Sequence, residues 1–386
     1  MYSEAGTGAD PLATMRATLE RSNLLKALNH VHRVVERRNT IPILANVLLR
    51  AEGSKLTLKA TDLDLEILET VPADVKQSGA TTVSAQTLYD IVRKLAEGAE
   101  VALEIADDGN ALAIRSGRSS FSLQVLPEAD FPDLTVGEFP VSFSIAGATL
   151  RALIDRTQFA ISTEETRYYL NGIYLHLVTA GDDKMLRAVA TDGHRLAQAQ
   201  IPAPEGVDAM PGVIIPRKTV GELQKLLESS EDDIRVEVSD NKIRVTIGDV
   251  VLTSKLIDGT FPDYVRVIPQ GNDKLLKVDR GEFADAVDRV STVASERGRA
   301  VKLALADGKL VLSVNNPDSG SATEEIGVDF AGDPIEIGFN AKYLLDIGSQ
   351  LRSGTAVFKL ADPGSPTLIE DDDNKDALFV LMPMRV

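Results

Sequence analysis

The chain contains no cysteine among its 386 residues. A disulfide frame, a thiolate metal site and a cysteine nucleophile are all excluded, and the composition suits a reducing compartment, the cytoplasm. No apolar run approaches the ~20 residues needed to cross a bilayer. Neither a GxxxxGK[ST] loop nor a strand-to-helix GxGxxG occurs, which argues against nucleotide hydrolysis. Histidine is scarce, with 4 residues. His30, His32 and His176 make no ligand spacing with His194, so neither a metal nor another cofactor is expected. Cations are also in the minority: 41 Lys and Arg stand against 58 Asp and Glu, a net charge of −17. Proteins that grip free DNA through its phosphates usually carry the opposite sign. Net charge does not decide the matter, because cations gathered on one surface act through the local field.

What is present is a globular balance of 44% hydrophobic and 26% charged residues, in a length suited to two or three domains. Residues 1–14 read MYSEAGTGADPLAT, without periodicity, and are expected to be a disordered extension or an expression remnant, with Met15 a plausible natural start.

Six segments show helical periodicity. The first starts at Ser22, an N-cap candidate, with Leu24, Leu25, Leu28, Val31 and Val35 on one stripe. The second opens at Ser84, buries Leu88, Ile91, Val92 and Leu95, and stops at Gly98. Others lie near 147–161, near 216–228 with Pro216 in the first turn, near 280–294, and near 340–353 with Gly354 as its end. Within pairs the starts differ by 84 − 22 = 62, 216 − 147 = 69 and 340 − 280 = 60 residues, so three similar units stand in a row. Between them the pattern changes to period two, as in Leu56–Ala60, Phe121–Val125, Ile234–Val238, Ile243–Ile247 and Leu310–Val314. Asp240-Asn241 and Asp307-Gly308 mark antiparallel hairpins.

Two short echoes share one offset of 130 residues. Phe131-Pro132-Asp133-Leu134 returns as Phe261-Pro262-Asp263-Tyr264, and Thr61-Asp62 returns as Thr191-Asp192. The reading is an α+β fold of three repeated domains, each with two helices on antiparallel sheets. The expected spans are 15–137, 138–263 and 264–386, with boundaries in the loops near 135–141 and 262–266.

Thr191-Asp192-Gly193-His194-Arg195 is the strongest candidate for catalysis, a hydrolase using Asp192 and His194. Its spacing does not supply nucleophile, base and orienter, and the favoured reading is a turn in which Asp192 accepts backbone N–H groups and Gly193 takes an unusual dihedral. Glu370-Asp371-Asp372-Asp373 is expected to be a solvated hairpin turn rather than a cation site. Lys26, Arg33, Arg37, Arg38, Arg93, Lys94, Arg151, Arg156, Arg217, Lys218, Lys225, Lys342 and Arg352 flank the helices. If those helices line one concave surface, the cations meet a nucleic-acid backbone without reading bases. The ending, Leu381-Met382-Pro383-Met384-Arg385-Val386, is either a last core strand or an exposed peptide groove.

From about Met15 to Val386 the sequence resembles the β subunit of bacterial DNA polymerase III, the β sliding clamps. The resemblance rests on Thr40-Ile41-Pro42-Ile43-Leu44, Arg167-Tyr168-Tyr169-Leu170-Asn171-Gly172, Ala190-Thr191-Asp192-Gly193-His194-Arg195-Leu196, Ser254-Lys255-Leu256 with Phe261-Pro262-Asp263-Tyr264, and the closing Met382-Pro383-Met384-Arg385. It implies a non-catalytic, head-to-tail homodimer whose six domains close a ring around double-stranded DNA. The strand holding Phe121 and Leu123 would pair with the third domain of the partner, near Thr292 and Val293. Short peptides of the polymerase III catalytic subunit, the clamp loader, translesion and repair proteins would enter a pocket lined by Leu170, Thr191, Gly193, His194, Arg195, Leu196, Pro262, Arg266, Val267, Asn340, Tyr343, Val380, Met382, Pro383, Met384 and Arg385. Leu170, Leu196, Val267, Val380 and Met382 would supply apolar area there, while Arg195, His194 and Asn340 orient polar groups of the peptide. DNA would be met by Arg38, Arg167, Tyr168, Tyr169 and Lys218. Gly298, where some relatives carry an aromatic, and the terminal Val386, where Leu is also seen, are departures from the family pattern. A monomeric, peptide-binding adaptor without DNA is the remaining alternative.

Overall fold

Helices form where the stripes predict them: α1 Arg21–Val31, α2 Ala85–Lys94, α3 Gly147–Thr157, α4 Arg217–Leu227, α5 Arg280–Ser291 and α6 Ala341–Gly348. They pack in sequential pairs, α1 on α2, α3 on α4 and α5 on α6. The computed structural model describes residues 14–38, 40–106, 108–134, 137–228, 230, 232–295 and 299–386. The expected extension lies outside the described residues apart from Thr14, and so does Gly298.

The ends of the helices differ from expectation for local reasons. Ser22 is not a cap: strand Arg16–Glu20 runs straight into α1, Glu20 occupies the N-cap position, and the first helical N–H, of Arg21, donates to Ala99 O at 2.8 Å. Ser84 does cap α2, its Oγ accepting from Thr87 N. That helix ends at Lys94 rather than Gly98. Pro216 stands one place before α4. α6 stops at Gly348, yet 3-residue turns carry the chain on through Gln350 N→Ile347 O and Leu351 N→Gly348 O, which buries Leu351 and prolongs the apolar stripe past the helix.

By its internal packing the chain divides into two compact units, residues 1–142 with 233–255, and residues 143–232 with 256–386. In the first, the hairpin strands Asp233–Val238, Lys242–Ile247 and Val250–Lys255 continue a sheet through Leu65–Pro72, Lys55–Thr61 and Asn46–Glu52. In the second, Gly172–Ala180, Asp183–Thr191 and Arg195–Pro202 run on into Ala377–Leu381, Thr367–Asp371 and Thr355–Leu360. A four-stranded sheet ordered Gly320–Gly327, Lys309–Asn316, Ala300–Ala306, Ile335–Asn340 completes it. The sequence boundary between repeats is therefore bridged by a strand pair: Leu65 opposes Ser254, and Arg195 opposes Leu381. The packing units cut across the repeats because the last hairpin of the second repeat hydrogen-bonds to the first.

Strand alternation sets the cores. In Ala300–Ala306, Val301, Leu303 and Leu305 are buried while their neighbours are half-exposed. At the Asp307-Gly308 hairpin both residues have positive φ, 38° and 75°, as a two-residue turn between twisted strands requires.

Candidate functional site

The two Thr-Asp echoes fold into one turn made twice. In the second unit Asp192 Oδ1 accepts from His194 N at 2.9 Å and Arg195 N at 3.0 Å, while Thr191 Oγ1 donates to Arg195 O at 2.8 Å. In the first unit Asp62 Oδ1 accepts from Asp64 N at 3.0 Å and Leu65 N at 2.8 Å, and Thr61 Oγ1 donates to Leu65 O at 2.9 Å. The third position is left-handed in both: Gly193 has φ 87° and Leu63 has φ 79°. The segment forms the expected turn, with the Asp192 carboxylate held by the turn and by Arg195 Nε at 3.2 Å.

Arg195, expected to orient a peptide, is buried. Its three guanidinium nitrogens are spent internally, on Asp192, on Asp346 Oδ2 at 2.6 Å and on the Phe159 carbonyl at 2.8 Å. The guanidinium also lies 4.1 Å from the Tyr343 ring centroid and 5.1 Å from that of Phe159. Asn340 likewise serves the scaffold, its Oδ1 accepting from Tyr343 N to cap α6. The polar groups thus hold Tyr343 and the start of α6 against the turn. His194 remains exposed, its ring 6.4 Å from that of Tyr343.

Beside this turn lies apolar surface. Leu170, Leu196 and Val380 sit in a buried cluster with Val189, Ile214, Phe261, Tyr264 and Leu368, so they floor the site rather than face solvent. The exposed apolar area comes from Val265 (52%), Val267 (53%) and Met382 (39%). Pro262 and Arg266 are exposed on the same segment, with Arg266 paired to Asp263 at 2.8 Å. Val265 was not anticipated; it lies in a short 3-10 turn, Tyr264–Val267, that exposes it together with Arg266 and Val267. Exposed apolar side chains grouped around fixed polar ones mark an interaction surface.

The chain's ending is a core strand first, Ala377–Leu381, and a partly exposed tail after it. The tail is fastened at two points: Met382 N donates to His194 O at 2.9 Å, and Met384 N to Gly338 O at 2.8 Å. Pro383 lies between them, half-buried, with Arg385 exposed beyond. The first unit repeats the upper fastening without the site: Lys255 N donates to Asp64 O at 2.8 Å, but Lys255 Nζ pairs with Asp64 at 3.1 Å where the second unit has Met382 and His194.

The loop carrying Phe261 and Tyr264 is anchored by stacked rings. Tyr174 stacks on His176 at 4.1 Å and on Phe261 at 4.8 Å. Tyr264 Oη bonds His176 Nε2 at 2.9 Å and accepts from Arg187 at 3.0 Å. Burial, reinforced by the Arg187 charge, lowers the His176 pKa to about 4.

Of the proposed DNA contacts, Arg38 lies exposed in the first unit, and Lys218 exposed at the start of α4 in the second. Tyr168 is exposed, whereas Tyr169 packs on the apolar cluster. Arg167 is bound by Glu164 at 2.7 Å and reaches the Asp192 carbonyl, and Glu164 raises its pKa. Arg156 must be removed from the basic surface: it is buried and paired with Asp371 at 2.9 Å. Only part of the carboxylate run is the expected solvated hairpin turn, Asp372 and Asp373, both exposed. Glu370 and Asp371 are buried in strand Thr367–Asp371, Glu370 between Lys359 and Lys375, and Asp372 pairs with Lys277. Phe121 and Leu123 lie on strand Ser119–Leu126, where Phe121 is exposed, while Thr292 and Val293 directly follow α5. Among the described residues no group of three or more His, Asp or Glu is arranged to hold a metal ion, and no helix is long and apolar enough to cross a membrane.

Three sequence models of one family match in order: DNA polymerase III beta subunit N-terminal domain at residues 15–135, central domain at 144–263 and C-terminal domain at 265–385. The beta sliding clamp of Caulobacter vibrioides is 53% identical over 372 residues, covering 96% of this chain and all of the relative. That of Escherichia coli K12 is 40% identical over 373 residues, with the same coverage. The crystal structure of a sliding clamp from Bartonella birtlesii bound to griselimycin superposes with a TM-score of 0.94 at 57% identity, over 97% of this chain and all of that one. The three repeats, their order and their full-length match show that this chain belongs to the DNA polymerase III beta subunit family, the sliding clamps.

Proposed function

We propose that two copies of this chain close head to tail into a ring around duplex DNA, and that the ring tethers the polymerase III catalytic subunit, the clamp loader and translesion and repair proteins through short peptides. It performs no turnover of its own. The observation that carries the ring is a pair of open strand edges. Among the described residues, 119–124 of strand Ser119–Leu126 pair only with Ala111–Ser116, and Gly320–Gly327 pairs only with Lys309–Asn316. Open edges invite pairing with another chain, and a head-to-tail contact that closes gives a ring instead of a filament. Phe121 and Leu123 would enter that contact from one copy, and Thr292 and Val293 from the other.

The net charge of −17 suits such a device, because topology and not affinity then retains DNA. Arg38, Arg167, Tyr168, Tyr169 and Lys218 would make weak, sequence-independent contacts that permit sliding. Partner peptides would lie on Val265, Val267 and Met382, over the floor of Leu170, Leu196 and Val380, with Gly193, His194 and Tyr343 at the rim. Griselimycin, which the Bartonella birtlesii relative binds, would take the same surface. The three domains span 15–137, 138–263 and 264–386 in this reading, and the ring works in the cytoplasm.

Sedimentation of the full chain tests the ring: a dimer at micromolar concentration is expected, and a monomer at every concentration rejects it. Val267→Asp tests the peptide surface. It places a charge on exposed apolar area, so griselimycin binding falls while the dimer remains; unchanged binding rejects the location.

A further inference from the structure

Strand Ile335–Asn340 holds a glycine in its interior, Gly338. Glycine weakens a strand, and within one it often marks close approach of another backbone. Conformation does not demand it here, for Gly338 is not among the residues with positive φ. Space does. A Cβ at this position would lie 2.5 Å and 2.7 Å from the two Val386 methyl carbons and 2.7 Å from the Met384 carbonyl oxygen. A methyl side chain can turn aside, but a backbone oxygen moves only with its chain.

The atoms met are those of the tail. Met384 N donates to Gly338 O, and two residues earlier Met382 N donates to His194 O. The span between these fastenings is Pro383, so a shift at Met384 is passed to Met382 within a few bonds. A cleft of about 640 Å³, lined by Gly338 itself, by Lys302, Ser313, Asn315 and Glu336 and by the tail, gives a displaced tail room to move. Strand Ile335–Asn340 has no such freedom, being paired along its length with Ala300–Ala306.

We infer that Gly338 is a positioning residue for the peptide site: its missing side chain seats residues 384–386 on the strand edge, and that seat holds Met382 in place beside the His194 turn. The inference rests on reading the tail as a wall of that site. Gly338 itself touches no ligand.

The test uses griselimycin as probe and the full-length dimer. The parent binds and Val267→Asp does not, which establishes the site. Gly338→Ala weakens binding by roughly tenfold or more, the lower end of what forcing a methyl into filled space does. Val386→Gly alone changes binding little. The double variant Gly338→Ala with Val386→Gly recovers at most a small part of the loss, since the contact with the Met384 carbonyl oxygen remains. In methyl NMR of the methionines, Gly338→Ala shifts Met382 and Met384 while Met15 and Met185, in other strands or loops, stay put. If the parent fails to bind, or Val267→Asp binds like the parent, the site reading falls and this inference with it. If both controls behave but Gly338→Ala binds as the parent does, or leaves the Met382 methyl signal unshifted, the inference alone is wrong.

Discussion

Replacing Arg195 by lysine separates scaffold from contact. The guanidinium reaches three acceptors in different directions, and a lysine ammonium is a point charge that can satisfy about one of them. Each charge-assisted bond removed is worth ~1.5–3 kcal/mol, and loss of the stacked position over Tyr343 adds ~0.5–1 kcal/mol. The carboxylates left behind are not orphaned. Asp346 keeps Lys342 at 2.8 Å, and Asp192 keeps the two backbone N–H groups of its turn. With those partners retained, a loss of about 2–3 kcal/mol in the stability of the second unit is expected, below the simple sum because contributions in one network do not add. Denaturant unfolding read by a probe in that unit measures it, alongside griselimycin titration. Arg195→Lys should lower the midpoint and weaken binding together, because Tyr343 loses its support. Unchanged stability with weakened binding would mean that Arg195 contacts the ligand directly and would refute the scaffold role.

Acid should loosen the second unit through His176. Its folded pKa of about 4 lies below the unfolded value of 6.5, so the associated stability is complete above pH 6.5 and is lost as pH falls from there to about 4. The loss is at most ~3 kcal/mol; His176→Gln should flatten the stability profile across that window, and an unaltered profile would contradict the assignment. Arg156→Met leaves Asp371 with only the N–H groups of Arg352 and Ser353, both at 2.8 Å. A destabilisation of ~3 kcal/mol is expected by chemical denaturation, with partial recovery in the double variant Arg156→Met with Asp371→Asn. Leu63→Gly relieves a left-handed backbone in the first unit and should be stabilising by a few tenths to ~1 kcal/mol, because removal of strain worth ~1–2 kcal/mol outweighs the added chain entropy. Destabilisation would show that Leu63 packing outweighs its strain.

The repeat was legible because it is written in periodicities and in turn chemistry, which act over a few residues. The Thr-Asp echo is the clearest case: the same three hydrogen bonds recur 130 positions apart, and even the left-handed third residue recurs, although Leu63 gives no sign of it in sequence. Side-chain partners across the fold were not legible. Arg156 sits on a helix with the spacing of a surface cation and is buried only because Asp371, 215 residues away, meets it. The buried half of the acidic run looked solvated because most of its cations come from elsewhere in the chain, Lys359 and Arg156, with only Lys375 close by in sequence. Similarly, nothing near Arg195 in sequence announces Asp346 or Tyr343, which turned an expected peptide contact into a structural hub.

The central claim is that a closed ring, and not affinity, retains DNA. Loading the dimer onto a nicked circular plasmid and then cutting the circle once tests it most directly. Retention on the circle through a gel-filtration column and release on linearisation are predicted; equal retention on circular and linear DNA would contradict the account.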